Sequence, residues 1–458
     1  MIASYRKSGL AVCALVCSTV VLADEISVEA TQQGALGDLK MLIEATKSAW
    51  AYADDKRENF GVDLDHLSAV AAAQIRKCRS KEEAFEILRK VVAGFKDGHA
   101  SLRAPDLSSS GPTGRIQGRL RDTREGVVLE KELIVEWKGR SVEEELAPLI
   151  ERAYASTPGM ARQLAIQKLA YGPLKQTVRV RLRDAGGPET ERLLRFEEDS
   201  ETDPPPLELR WAREDIAHLA IHTFDVRRSG WAVKSDGPVN PSGLSALAVE
   251  EVQKKISEAF SRCAGAKALI LDLRGNGGGT DSIGSHVALH LVAGEFCYFK
   301  LQTRFSPELK MMPGFTNSPD SGWSVASDGW KPPRPPAVKP FEGLVWVLLD
   351  EQCFSTTDNL LACLRDLLPK ERARFLGRPT GGGTGAPRLV ARLPFTGAQL
   401  TLTVMKVYSP NGKLIEGRGT IPDRAIVWTW SDVVRGRDPD LEAALDEAVA
   451  KLGKSSGS

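Results

Sequence analysis

Two apolar runs constrain this chain most: "KALILDLRG" (267–275) and "GLVWVLLD" (343–350). Neither alternates. An apolar run without a polar side has to be covered on both faces, as a strand inside a parallel sheet is. Each run is followed by a stretch with helical spacing, "SIGSHVALHLVAG" and "STTDNLLACLRDLL". That order predicts βαβ units and an α/β core. "IAHLAIHTF" reads as a further, alternating strand and "GLSALAVEEVQKKISEAFSRCA" as a helix. "QLTLTVMKVYSPNG" reads as the strand that closes the sheet.

The rest of the chain divides around this core, since 458 residues exceed what one ordinary core holds. Residues 35–96 show apolar positions at three- and four-residue spacing and predict helices. One of these helices opens on a capping box, Ser80 with Glu83 three residues on. "GVVLEKELIVEW" (126–137), "TVRVRLRD" (177–184) and "ERLLRFEE" (191–198) read as strands flanking helical segments, a small α+β module. "DPPP" (203–206) ends it. An irregular excursion, 301–342, carries Trp323 and Trp330, which either line a cleft or cover the surface. The expected boundaries are 24–100 for a helical domain, 101–206 for the module, 207–435 for the core and 436–458 for a terminal helix and disordered tail.

Composition narrows the function. Apolar residues at 42% and charged ones at 26% describe a globular chain, and a net charge of +1 offers no field for nucleic acid or a membrane surface. Residues 1–23 have Arg6 and Lys7, then "GLAVCALVCSTVVLA", then a small-residue cleavage pattern. This reads as a secretory signal peptide, so the protein is expected in the periplasm or outside the cell. Five cysteines follow it: Cys78, Cys263, Cys297, Cys353 and Cys363. They show no C-x-x-C and no zinc spacing, and read as buried thiols with no metal and no cofactor implied.

Four segments can carry chemistry. Ser355 stands between the second buried strand and its helix, where Ser, Thr and Asp are ordinary N-caps. The same place exposes a hydroxyl on a sharp turn and aims helix N–H groups at developing negative charge. Taken alone, the cap outweighs the nucleophile. "DLRGNGGGTDS" (272–282) lacks the phosphate-loop spacing, but its four glycines exceed the needs of a turn and could present an N–H to an oxyanion. His99 lies in the turn "FKDGHASL" beside Asp97, and Glu416 precedes a Gly-rich turn in "NGKLIEGRGTIPD". His286 and His290, four apart on one helix, lack the Glu of the His-Glu-x-x-His zinc motif and read as structural.

Together, "DGHASL", "HLAIHTF", "ALILDLRGNGGG", "VWVLLDEQCFSTTDNLL", "FLGRPTGGGTG" and "IEGRGTIPD" resemble the tail-specific, or C-terminal processing, serine peptidase superfamily, which includes the tricorn-type proteases. The resemblance runs from about residue 90 to 430. It implies a multidomain α+β protein: an N-terminal helical domain, a PDZ-like α+β module and an α/β (ClpP/crotonase-like) peptidase core. The Ser–Lys branch carries a Lys in a "Thr-x-Gly-Lys-Gly" segment. Here that segment is "PTGGGTG" (379–385), without Lys, and Lys370 and Lys406 lie outside it. The tricorn-like branch takes its base from a His in a Gly-His turn and orients it with a downstream Glu, and both are present. The resemblance therefore implies Ser355 as nucleophile, His99 as base and Glu416 as orienter. It also implies an oxyanion hole of backbone N–H groups from Thr356 and from Gly277 or Gly278. The implied partners are peptides or unstructured protein segments.

Three rivals remain at this stage: a non-catalytic carrier on the same fold, a peptide-binding scaffold, and Cys353 as the nucleophile. The carrier should have lost a catalytic residue, and the module shows no clear carboxylate-binding Gly-hydrophobic-Gly loop for the scaffold.

Overall fold

A computed structural model of the protein describes residues 27–104, 106–107, 112–200, 202–233, 245–312 and 314–455. Residues 1–23, expected from sequence to be a signal peptide, and the last three tail residues lie outside them. Among the described residues, no helix is long and apolar enough to cross a membrane. The fold is mixed α+β, with helices at the N-terminal end and a sheet-rich core.

The two apolar runs form neighbouring parallel strands, Ala268–Asp272 and Leu344–Leu349, in the middle of a six-stranded sheet. Ile216–Ile221 and Ala373–Gly377 flank them in parallel, Arg424–Ala425 follows at one edge, and Leu207–Arg213 adds an antiparallel edge at the other. Alternate residues serve different layers. Leu269, Leu271, Val345, Val347 and Leu349 pack with helices Ala246–Arg262, Asp281–Leu289 and Thr356–Leu367. Ala268, Ile270, Trp346 and Leu348 pack on the opposite face with Ala443, Ala444 and Ala448 of the helix Pro439–Ser455. Both faces are dry, so neither run alternates. Ile216–Ile221, which reads as alternating in sequence, is also buried along both faces except at His218.

The strand Gln399–Thr403 corrects one expectation. It does not close the parallel sheet. It pairs antiparallel with Ser101–Arg103 and with Pro387–Arg392 in a separate three-stranded sheet. Helices Val28–Ala49, Ala53–Phe60, Leu64–Ile75 and Lys81–Ala93 pack near this sheet, and Leu42, Leu88 and Phe95 share one apolar cluster with Leu400, Leu402 and Val404. The first hundred residues thus share a core with a hairpin from far along the chain. The capping box is shifted too. Ser80 Oγ accepts the Glu83 N–H at 3.2 Å, but the Glu83 carboxylate accepts from the Arg79 N–H at 2.8 Å.

The middle module has its own core around the fully buried Trp137, Val180 and Leu182. Its segment 126–137, one strand by sequence, is a hairpin of Gly126–Leu129 and Glu132–Trp137. Glu130 turns the chain at φ 55° and exchanges backbone and side-chain hydrogen bonds with Arg119. In the 301–342 excursion, Trp330 packs on Tyr298 and Phe299, while Trp323 lies under the cations of Arg304 and Lys406.

His286 and His290 are buried, and each has Nε2 against Ser257 Oγ, at 2.8 and 3.0 Å. Burial pulls both rings down to about 4 from an ordinary 6.5. A folded state that binds protons less readily than the unfolded one loses stability as pH falls below 6.5. The loss is complete once pH passes about 4, and is worth about 3 kcal/mol per ring. Asp358 and Glu416, whose carboxyls are raised, act in the opposite sense, so the rings' contribution is a difference between variants. We expect His286→Asn to lose less stability than wild type between pH 7 and 4.5, read from urea midpoints. Equal losses would show the ring to be free of this penalty.

Candidate active site

Ser355 ends the turn after the strand Leu344–Leu349 and stands directly before the helix Thr356–Leu367. Its side chain makes no capping hydrogen bond, and its backbone is at φ 60°, ψ −122°. A non-glycine residue in that region carries strain of order 1–3 kcal/mol, which persists only where the surroundings enforce it. They do so here. The Ser355 N–H donates to Gly383 O at 2.8 Å, and the Phe354 N–H to Asn276 O at 3.2 Å. Thr357 Oγ1 donates to Asn276 Oδ1 at 2.9 Å, and Thr356 Oγ1 to Asp281 Oδ1 at 2.9 Å. Asp358 is fully buried and accepts from Thr380 Oγ1 and from the Gly383 N–H. Burial first, and Glu416 further, push its carboxyl up to about 8. The "STTDN" polar run is therefore a set of buried ties to the glycine segments around it.

The Gly-rich turn runs against the same residue. A Cβ on Gly278, at φ 91°, would lie 2.5 Å from Phe354 O and 2.8 Å from both Ser355 Cβ and Thr356 N. The Gly278 N–H already donates to Asn276 Oδ1 at 2.9 Å, while Gly277 borders open space. Arg274, just upstream, is held by Asp272, Asp438 and Asp440. Arg378 binds Glu351 and Asp440, which fastens the start of the last helix to the loops around the site.

His99 arrives from the other side, on the turn after the helix Lys81–Ala93. Asp97 builds that turn. Its Oδ1 accepts from the His99 and Ala100 N–H groups, and its Oδ2 from Trp50 Nε1 at 2.8 Å and Thr403 Oγ1 at 2.9 Å. The Gly98 N–H donates to Ser156 Oγ at 2.9 Å, and Phe354 stacks on the imidazole at 4.5 Å. His99 Nε2 lies 3.1 Å from Ser355 Oγ. Burial lowers the imidazole's pKa and Asp97 opposes it, which leaves a neutral ring able to take a proton. Nδ1 is buried and has no hydrogen-bond partner.

Glu416 is in the site but not on the imidazole. Its Oε1 accepts from Lys56 Nζ at 2.8 Å and its Oε2 from the Thr384 N–H at 3.0 Å. Donor atoms of Asp97, His99 and Glu416 all lie within 4.8 Å of one another. Such a trio can ligate a metal, but the carboxylate oxygens here already face N–H and O–H donors and an ammonium, so it suits a cationic ring better than a metal ion. Burial first, and Asp97 as well, push Glu416 up to about 7, while Lys56 pulls it down. Cys353 is buried with its Sγ toward Leu273 O, and burial pushes the thiol well up, which suits a structural thiol. Lys406 is spent on Trp323. Sequence reading missed Asp97 as the anchor of the turn, and it missed Lys56, Ser156 and Asp358; a charged or hydroxyl side chain shows its burial only in three dimensions.

Comparison with known proteins bears on the whole arrangement. Residues 215–426 match the sequence profile described as peptidase family S41. No curated protein matches. The structure of mature CPAF complexed with lactacystin is similar with a TM-score of 0.73 and 16% identity, over 92% of this chain and 99% of that one. That of mature CPAF alone gives 0.71 and 17%, over 93% and 99%. At such identity the structural likeness speaks to fold, and the profile match speaks to kinship. Ser355, Glu416 and both glycine segments fall inside the matched span; His99 and Lys56 fall before it. Over residues 215–426 the chain thus matches peptidase family S41, the serine-type peptidases of the tail-specific protease superfamily.

Proposed function

We propose that the protein is an exported endopeptidase that cuts peptides or unstructured protein segments with Ser355, His99 and Glu416. The observation that carries this is the 3.1 Å approach of His99 Nε2 to the Oγ of a strained Ser355. Ser355 Oγ attacks the peptide carbonyl and passes its proton to His99 Nε2. The imidazolium then gives that proton to the leaving amine, and water repeats the sequence on the acyl-enzyme. Glu416 acts as the buried anion beside the imidazole and favours its cationic form. The oxyanion is met by the Thr356 N–H at the helix start and by the glycine strand opposite, where Gly277 supports the role better because Asn276 engages the N–H of Gly278. On the likeness to the superfamily, residues 101–206 are a PDZ-like module and the six-stranded region a ClpP/crotonase-like core. Residues 1–23 direct export to the periplasm or beyond.

A fluorophosphonate probe tests the assignment. Wild type lacking residues 1–23 should be labelled on the peptide containing Ser355 and should hydrolyse casein, and Glu416→Gln should slow both. Labelling at Cys353 would make that thiol the nucleophile, and a folded protein that neither labels nor cleaves would return the chain to the carrier or scaffold reading.

A further inference from the structure

Lys56 is the most unusual side chain near the site. It sits on the short helix Ala53–Phe60, in the charged run "ADDKRENF", yet it is fully buried. Its ammonium meets Glu416 Oε1 at 2.8 Å, donates to Lys96 O and lies 4.8 Å from the centre of the Phe60 ring. Taking an ammonium out of water is costly, and a buried ion pair rarely repays that cost in stability compared with apolar residues of the same volume. Packing alone gives no reason for a lysine here.

Charge does give one. The groups facing Glu416 are Asp97 and His99 from the turn after the helix Lys81–Ala93, Lys56 from the helix Ala53–Phe60 with Tyr52 just before it, Asp358 from the helix Thr356–Leu367, the Ser156 hydroxyl, and the Thr384 N–H. Two ionised carboxylates, Asp97 and Glu416, with no cation between them would drive one to take up a proton. With Lys56 present, the trio Asp97, Glu416 and Lys56 carries one net negative charge. Formation of the His99 imidazolium brings the set to zero.

We infer that Lys56 is a positioning residue for the reaction: it keeps Glu416 ionised and fixes its carboxylate, so that the site holds one uncompensated negative charge for His99 to neutralise. This rests on the reading of Ser355, His99 and Glu416 given above. Lys56 touches neither substrate nor the reacting atoms; it acts through Glu416.

The test is the pH dependence of Ser355 phosphonylation by a fluorophosphonate, from pH 5 to 10, for wild type, Lys56→Gln, Lys56→Arg and Glu416→Gln. Lys56→Gln keeps donor groups but loses the charge. Its acid limb should move up by at least about one pH unit, with phosphonylation at pH 7 down about tenfold and partly regained at pH 9. Lys56→Arg, where it folds, should keep the wild-type limb. An unmoved limb in Lys56→Gln, with Glu416→Gln strongly impaired, overturns the role of Lys56 and leaves the triad standing. Glu416→Gln reacting with the fluorophosphonate like wild type overturns the role of Glu416, and that of Lys56 with it. Should Lys56→Gln fail to fold, ¹³C-carboxylate NMR of wild type decides. A Glu416 midpoint at or below about 7 leaves the carboxylate ionised where Ser355 reacts and supports the inference; a midpoint above about 8 overturns it, because Lys56 would then not hold Glu416 ionised.

Discussion

Ser355→Ala and His99→Ala should each lower peptide hydrolysis by about 10⁴-fold or more, with the fold intact. The first removes the hydroxyl proposed to attack, and the second the proposed base, whose Nε2 lies 3.1 Å from it. Neither substitution should cost much stability. The Ser355 side chain caps nothing, and His99 Nδ1 has no partner to lose. Ser355→Ala leaves the backbone at φ 60°, so its strain remains. The double variant should be no slower than the worse single one, because residues that act as a unit are not additive. Turnover of casein or a fluorogenic peptide, beside circular dichroism and a melting curve, gives the answer. Full activity in a folded Ser355→Ala protein would remove Ser355 from the chemistry.

Gly278→Ala should be damaging out of proportion to its size. The added methyl has to displace Phe354 O, Ser355 Cβ or Thr356 N, and the backbone at φ 91° resists a side chain in any case. Whichever gives way, the hydroxyl and the helix-start N–H move relative to His99. Displacements of about 1 Å in such a site cost about 10²-fold in rate, so kcat should fall by about that factor or more while KM changes less. Gly265→Ala, where a methyl meets nothing within 4 Å, serves as the comparison and should behave as wild type. Equal turnover in both variants would mean that the glycine strand does not bear on Ser355.

What could be read ahead of the structure was local. The two unalternating strands, the helix after each, and Ser355 at the junction follow from neighbours in sequence, and all stand in the sheet where the apolar pattern puts them. His99 and Glu416 came from likeness to a superfamily, not from any property of their own segments. The remainder was out of reach for physical reasons. Nothing in "QLTLT" says whether it pairs with the parallel sheet or with Ser101–Arg103, because both offer an apolar face. The hairpin at Glu130 was hidden because a glutamate and a lysine carry no turn signal, although Glu130 reaches back to Arg119. Lys56 was hidden because a lysine among Asp, Arg and Glu reads as solvated. Its charged partner is a carboxylate 360 residues away.

The pairing of Ser101 with Thr401 has one more consequence. His99 is two residues from that strand, and Thr403 holds the Asp97 that shapes its turn. The base therefore reaches its place only once nearly the whole polypeptide has been made and its two ends have met. A chain still emerging from the ribosome or through a translocation pore is unarmed, and so is a fragment limited to residues 215–426. On the triad reading, activity waits on the meeting of Ser101 and Thr401.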